Sequence, residues 1–162
     1  MSVISRRQLL AAAGAGFALV LAGAAAGQVG SLQTFEKSSL EVRAASGTHR
    51  FTIEVARTAA QHAQGLMYRR RLAADTGMLF IYDKPEPARF WMKNTYIPLD
   101  MVFIAPDGRI SSIAERTVPL SLELVTSNQP VIGVLELNGG TASRLGIRAG
   151  DRVIFPALGA GG

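Results

Sequence analysis

Two carboxylates occupy positions where a charge is costly. Asp100 stands in the apolar run LDMVFI, residues 99–104, and Glu136 in VIGVLEL, residues 131–137. A carboxylate among aliphatic neighbours loses its hydration, so it must be protonated, find a donor or cation, or line a wet cavity. Arg89, Lys93 and Arg116 are the cations available for that pairing. A second cluster precedes Asp100: the single tryptophan, Trp91, is followed by Lys93, Asn94 and Thr95. An aromatic face beside planar polar groups suits a sugar ring or another flat polar ligand. Three readings follow. The leading one gathers Trp91, Lys93, Asn94, Thr95, Asp100 and Glu136 around one pocket of a non-catalytic binding domain. The second makes Asp100 and Glu136 the acid and base of a hydrolase, which their separation would decide. In the third, each acid is neutralised within the protein, and the chain is a structural or partner-binding module.

The elements that must position these residues are mostly strands. In residues 97–104, Ile97, Leu99, Met101 and Phe103 share one strand face, and Pro98, Asp100, Val102 and Ile104 share the other. In residues 131–137 the faces are Val131, Gly133, Leu135 and Leu137 against Ile132, Val134 and Glu136. Runs apolar on both faces belong inside a sheet, because edge strands tolerate polar faces. HRFTIEV, residues 49–55, alternates Phe51, Ile53 and Val55 with polar residues, as a half-buried strand does. Thr58 and Gln61 have the spacing of a capping box and Gly65 that of a stop, predicting a helix of about two turns between them. Pro106-Asp107-Gly108 predicts a hairpin between residues 104 and 110. The expected fold is mainly β: a compact antiparallel β-barrel or sandwich with one or two short helices, lacking a βαβ rhythm.

Composition narrows the function classes. The net charge is +5, and without Arg6 and Arg7 fifteen basic residues face twelve acidic ones. That balance is too mild for a nucleic-acid partner, which calls for a dense basic face. The one basic run, Arg69-Arg70-Arg71, reads as a solvated loop. With no cysteine there is no disulfide, thiolate nucleophile or iron–sulfur cluster. His49 and His62 lack ligand spacing and read as surface or capping residues, so no metal is expected. No nucleophile elbow, phosphate-binding loop, dinucleotide fingerprint or zinc-protease motif is present, and no cofactor is expected.

Residues 1–27 carry a positive start, an uncharged run from Leu9 to Ala26, and small residues at Ala24 and Ala26 spaced for signal-peptidase cleavage. The Arg6-Arg7 pair, flanked by Ser5 and Gln8-Leu9-Leu10, resembles the twin-arginine export signal. The expectation is a periplasmic or secreted protein that meets the export machinery, and the membrane only transiently, through this leader. An uncleaved inner-membrane anchor is the alternative. Residues 28–48 read as a linker, 49–158 as a single domain and 159–162 as a tail.

An ordered set of motifs carries a family resemblance: Gly65-Leu66-Met67, Gly77-Met78-Leu79-Phe80, FWMKNTYIPLD at 90–100, VLELNGG at 134–140 and LGIRAGD at 145–151. Together they resemble domain-of-unknown-function family 192. The resemblance covers roughly residues 51–155 and implies a compact β-rich domain, often behind an export signal, with no reaction attached. GGTASRLGIRAGDRVI, from Gly139 onward, is similar to the helix-to-strand segment of PDZ domains, which would imply peptide binding. The carboxylate-binding loop of such a domain has no counterpart at the required place. Gly146, Gly150 and Asp151 therefore read as turn chemistry.

Overall fold

The computed structural model describes residues 32–158. The leader and the tail lie outside them. Among the described residues nine strands form, in chain order β1 (Glu36–Ala44), β2 (Gly47–Ala56), β3 (Thr76–Glu86), β4 (Arg89–Phe90), β5 (Leu99–Ile104), β6 (Ile110–Ala114), β7 (Val125–Thr126), β8 (Val131–Asn138) and β9 (Arg152–Ile154). Helix α1 (Ala59–Gln64) follows β2, and α2 (Thr141–Leu145) follows β8. Seven strands make one curled half-barrel sheet in the order β6-β5-β8-β3-β2-β1-β9, and β4 pairs with β7 as a two-stranded ribbon.

The two apolar runs flanking the carboxylates take interior places. β8 lies between β5 and β3, and β5 lies between β6 and β8. The turn at Pro106-Asp107-Gly108 closes the β5–β6 hairpin, with the Gly108 N–H donating to the Ala105 carbonyl at 2.9 Å. Thr58 caps α1 as its spacing requires: its hydroxyl accepts from the Gln61 N–H while the Gln61 side chain accepts from the Thr58 N–H.

Two features depart from expectation. Residues 28–48 are not a linker throughout, because Glu36–Ala44 is strand β1, paired along its length with β2 and at 41–43 with β9. Only Leu40 and Val42 of β1 are fully buried, with Ala44 partly buried against the same core, so too little alternation exists to reveal a strand held chiefly by backbone pairing. In addition, β2 and β3 are parallel neighbours joined through α1, a single βαβ crossover. A six-residue helix is too short to show a helical hydrophobic period.

The curl brings the ends of the sheet together. Arg109 and Arg152 form an isolated bridge, the Ile110 N–H donates to the Asp151 carbonyl at 2.8 Å, and the Val153 N–H donates to the Gly108 carbonyl at 2.9 Å. Inside lies one core, including Val42, Phe51, Ile53, Leu79, Val102, Leu135 and Leu137. A second core lies on the outer face of the sheet, under α1 and the loops, and includes Met78, Phe80, Met92, Leu99, Met101, Phe103 and Val134. The Asp151 side chain accepts from the Arg148 N–H at 2.7 Å, and Gly146 and Gly150 have φ of 68° and 94°, which is the turn chemistry expected there.

Close strand approach explains Gly77. A Cβ there would lie 2.5 Å from the Glu136 carbonyl oxygen and 2.8 Å from Leu137 Cδ2. Gly77→Ala is expected to lower stability by roughly 1 to 3 kcal/mol, the scale of overpacking in a close-packed interior. The measurement is the urea midpoint at unchanged slope. A wild-type midpoint would show that β3 can move off β8 freely.

Candidate functional site

Cross-strand register decides where the two acids point. Asp100 of β5 pairs with Leu137 of β8, and Glu136 pairs with Met101 of β5 and with Met78 of β3. Directly opposed residues share a face and neighbours along a strand alternate, so Asp100 and Glu136 lie on opposite faces of the sheet. They cannot act on one substrate. The expectation of one pocket holding both acids and that of an acid–base pair are therefore corrected: each strand's alternation was readable, but the one-residue offset between the strands was not.

Asp100 faces inward and is fully buried. Its Oδ1 accepts from the backbone N–H of Arg116 and of Gly140, and its Oδ2 from that of Ala142, each at 2.8 Å. Gly140 is the N-cap of α2 and supplies no capping side chain, so Asp100 caps that helix from a distant strand. Among the described residues, Arg89, Lys93 and Arg116 form no ion pair with either acid. The Arg116 guanidinium instead packs over Gly140, within 3.1 Å of where a Cβ would stand. Three main-chain donors replace the expected cation.

Glu136 faces outward, and the chemistry differs. It is 4% exposed, flanked by the wholly buried Met78 and Met101, and its side chain makes no hydrogen bond or ion pair among the described residues. Burial pushes its carboxyl up from the ordinary 4.5 to about 8. It forms part of the floor of a cleft of about 490 Å³. The walls come from four segments. From α1 comes His62, whose ring meets Phe80 and Tyr82 edge-on at 5.6 and 5.4 Å between centroids and whose Nε2 lies 3.0 Å from the Ala56 carbonyl. Phe80 and Tyr82 stand on β3, on the same side as Met78. Phe90 of β4 meets Phe80 edge-on at 4.9 Å. Gly65 to Met67 close another side, with Gly65 at φ 48° and a Cβ there falling 3.0 Å from the Phe80 ring. Glu86 and Arg89 lie on the exposed part of the lining. Burial, and next the charges of Glu86 and Glu136, raise the Tyr82 hydroxyl to about 12.

Of the motif residues, Trp91 and Thr95 line this cleft, while Lys93, Asn94 and Asp100 do not. Trp91 is 45% exposed, and Lys93 Nζ lies 5.0 Å from its ring centroid, a cation–π contact. Asn94, at φ 56°, uses its Nδ2 to donate to the Tyr68 hydroxyl at 3.1 Å, and its carbonyl accepts from the Tyr68 N–H at 2.8 Å. It latches the loop that closes the cleft. Thr95 is buried, donating to the Lys93 carbonyl at 3.3 Å. The segment carrying Trp91 to Thr95 is strapped down by the Met92 N–H to the Ser121 carbonyl and the Leu120 N–H to the Thr95 carbonyl.

Sequence reasoning missed His62, Phe80, Tyr82, Phe90 and Glu86, and it named Arg89 only as a counter-ion, whereas Arg89 lines the exposed part of the cleft. His62 in particular was expected at the surface or in a cap, yet it is a wall of the cleft. A signal existed for part of this set: Met78, Phe80 and Tyr82 share a strand face, and pairing β3 with β8 puts that face beside Glu136. Arg69 departs from the solvated-loop reading, since its guanidinium holds both oxygens of Glu54 on β2. Arg70 lies over the Tyr96 ring. Among the described residues no three histidine, aspartate or glutamate side chains gather as a metal ion would need.

Comparison with known proteins adds kinship. The family model DUF192, described as an uncharacterized ACR, matches residues 41–155. A crystal structure from Sinorhizobium meliloti 1021, of a protein named as a candidate transcription regulator, is 49% identical with a TM-score of 0.73, covering 76% of this chain and 96% of that one. A protein of unknown function from Novosphingobium aromaticivorans DSM 12444 is 42% identical with a TM-score of 0.75, covering 78% of this chain and 91% of its own. Among curated proteins, none matches.

Proposed function

Because the chain belongs to the DUF192 family, whose description assigns no activity, we propose its function from the cleft: a non-catalytic domain that binds a small polar molecule. One observation carries this reading, the buried and unpartnered Glu136 carboxyl at the floor of an aromatic-walled cavity. No fully enclosed side-chain nitrogen or oxygen among the described residues lacks a hydrogen-bond partner, so the unpartnered Glu136 oxygens open onto the cleft, where a ligand can pair with them. The aromatic walls accept a ring or compact apolar body, and the cavity volume suits a ligand of metabolite size. The hydrolase reading loses its support with the second carboxylate on the other face. Regulation of transcription, the role named for the Sinorhizobium relative, gains none from the basic run, where Arg69 is spent on Glu54 and Arg70 on Tyr96. The Arg6-Arg7 leader supports a site of action in the periplasm or outside the cell.

The test is a panel of sugars, amino acids, amines and small aromatic acids, followed by thermal melting and by Trp91 fluorescence, whose single emitter lines the cleft. A binder present at 100 times its Kd should stabilise the fold by about 2.7 kcal/mol, a rise of several degrees in Tm, and should alter Trp91 emission. Stabilisation by a compound that leaves Trp91 emission unchanged and acts equally on Glu136→Gln would place binding elsewhere and defeat the reading.

A further inference from the structure

Granting that the cleft binds a small molecule, we propose that its ligand is an organic ammonium ion, with the cationic nitrogen seated against Glu136 and an apolar or aromatic body lying among the rings of Tyr82, Phe90 and Trp91. Three observations converge on a cation. The floor group is a carboxyl more than nine-tenths buried, with no donor or cation of the protein's own directed at it among the described residues. A neutral ligand could be met by an amide, which carries no ionisation penalty, whereas a carboxylate gains most from a full positive charge. Second, the lining is aromatic on several sides, and ring faces attract cations, more strongly once water is excluded. The contacts of His62 with Phe80 and Tyr82, and of Phe80 with Phe90, are edge-to-face, at 68°, 88° and 87° between planes. Each such contact sets the edge of one ring against a face of the other, and the protein's own Lys93 Nζ, 5.0 Å from the Trp91 ring centroid, shows a cation drawn to this aromatic rim. Third, the lining carries a second carboxylate, Glu86, and its one fixed cation, Arg89, is on the exposed part. Once Glu136 gives up its proton the field at the floor favours positive charge, and Arg89 leaves room for an anionic group at the outer end of the ligand.

Proton linkage gives the proposal a signature. With its carboxyl raised to about 8 by burial, Glu136 is largely protonated at neutral pH, so seating an ammonium ion expels that proton. Affinity should then rise by up to about tenfold per pH unit between pH 6 and 8. The other titratable or charged groups on the lining are His62, Tyr82, Glu86 and Arg89, and a slope caused by any of them would persist without Glu136. Glu136→Gln makes the distinction, since it retains all four.

The experiment compares benzylamine with benzyl alcohol, matched in ring and length, by titration calorimetry and Trp91 fluorescence at pH 6, 7 and 8 on the wild type and Glu136→Gln. Expected are binding of benzylamine at least about tenfold tighter than benzyl alcohol at pH 8, a rising affinity with pH, and loss of both preference and slope in Glu136→Gln. Equal binding of the two probes, or a slope that survives in Glu136→Gln, would overturn the ammonium assignment and leave the binding cleft standing. If neither probe binds while a neutral sugar of the wider panel does, the ammonium assignment falls alone. If nothing in either set binds, both readings fall.

Discussion

Asp100→Asn is expected to destabilise the fold by roughly 3 kcal/mol, lowering Tm by about 10 °C for a domain of this size. The wild-type carboxylate spends both oxygens on three main-chain donors, those of Arg116, Gly140 and Ala142. Asparagine keeps one acceptor oxygen and turns an NH2 group toward the remaining N–H, so at least one buried donor is left facing another. Hydrogen bonds to a charged acceptor contribute about 1.5 to 3 kcal/mol each, and an orphaned buried donor adds its own desolvation cost. The measurement is a pair of thermal melts at pH 7. The affinity of any cleft ligand should be unchanged, because Asp100 lies on the other face of the sheet. A Tm within about 2 °C of wild type would mean that the α2 cap is dispensable and that Asp100 is held there for another reason.

Glu136→Gln should act in the opposite direction. A carboxyl raised from 4.5 when unfolded to about 8 when folded binds more protons in the native state between those values. The stability this group contributes is thus complete below pH 4.5 and lost as pH rises through 8. Each tenfold difference in proton affinity between the folded and unfolded chain is worth about 1.4 kcal/mol, so the loss across that window has a ceiling on the order of 4 to 5 kcal/mol. Wild-type Tm should accordingly fall from pH 5 to pH 8.5, while the Glu136→Gln profile is flatter and lies above wild type at the alkaline end. Parallel profiles would show that Glu136 finds a partner on folding and would remove the basis for an unpaired floor.

Asp100 and Glu136 also show what a linear sequence discloses. Their burial was legible, because each interrupts an apolar run on both strand faces, and so was the interior place of β5 and β8. Local chemistry was legible too: the Thr58–Gln61 box, the stop at Gly65, and the turn at Pro106-Asp107-Gly108 each depend on residues within a few positions of one another. The offset that opposes Asp100 to Leu137 rather than to Glu136 depends on two strands more than thirty residues apart, and no local pattern encodes it. The same limit hid the cleft, whose His62, Tyr82, Phe90 and Glu136 come from four separate elements. Strand β1 escaped notice for a different reason: it buries only two large apolar side chains, Leu40 and Val42, and owes its place to neighbours on both sides.

The pairing of β1 with β9 bears on when the protein can fold during its own synthesis. The first strand of the sheet completes its second ladder only with residues 152–154, and the ends of the sheet meet through the Gly108–Val153 and Ile110–Asp151 bonds. A ribosome adding roughly 5 to 20 residues per second needs on the order of ten seconds or more to reach that strand. Until then, Val42 has no Val153 beside it and β1 keeps an open edge along residues 41–43. The sheet is thus completed only once residues 152–154 are available, and until then the nascent polypeptide carries an exposed strand edge that chaperones can hold.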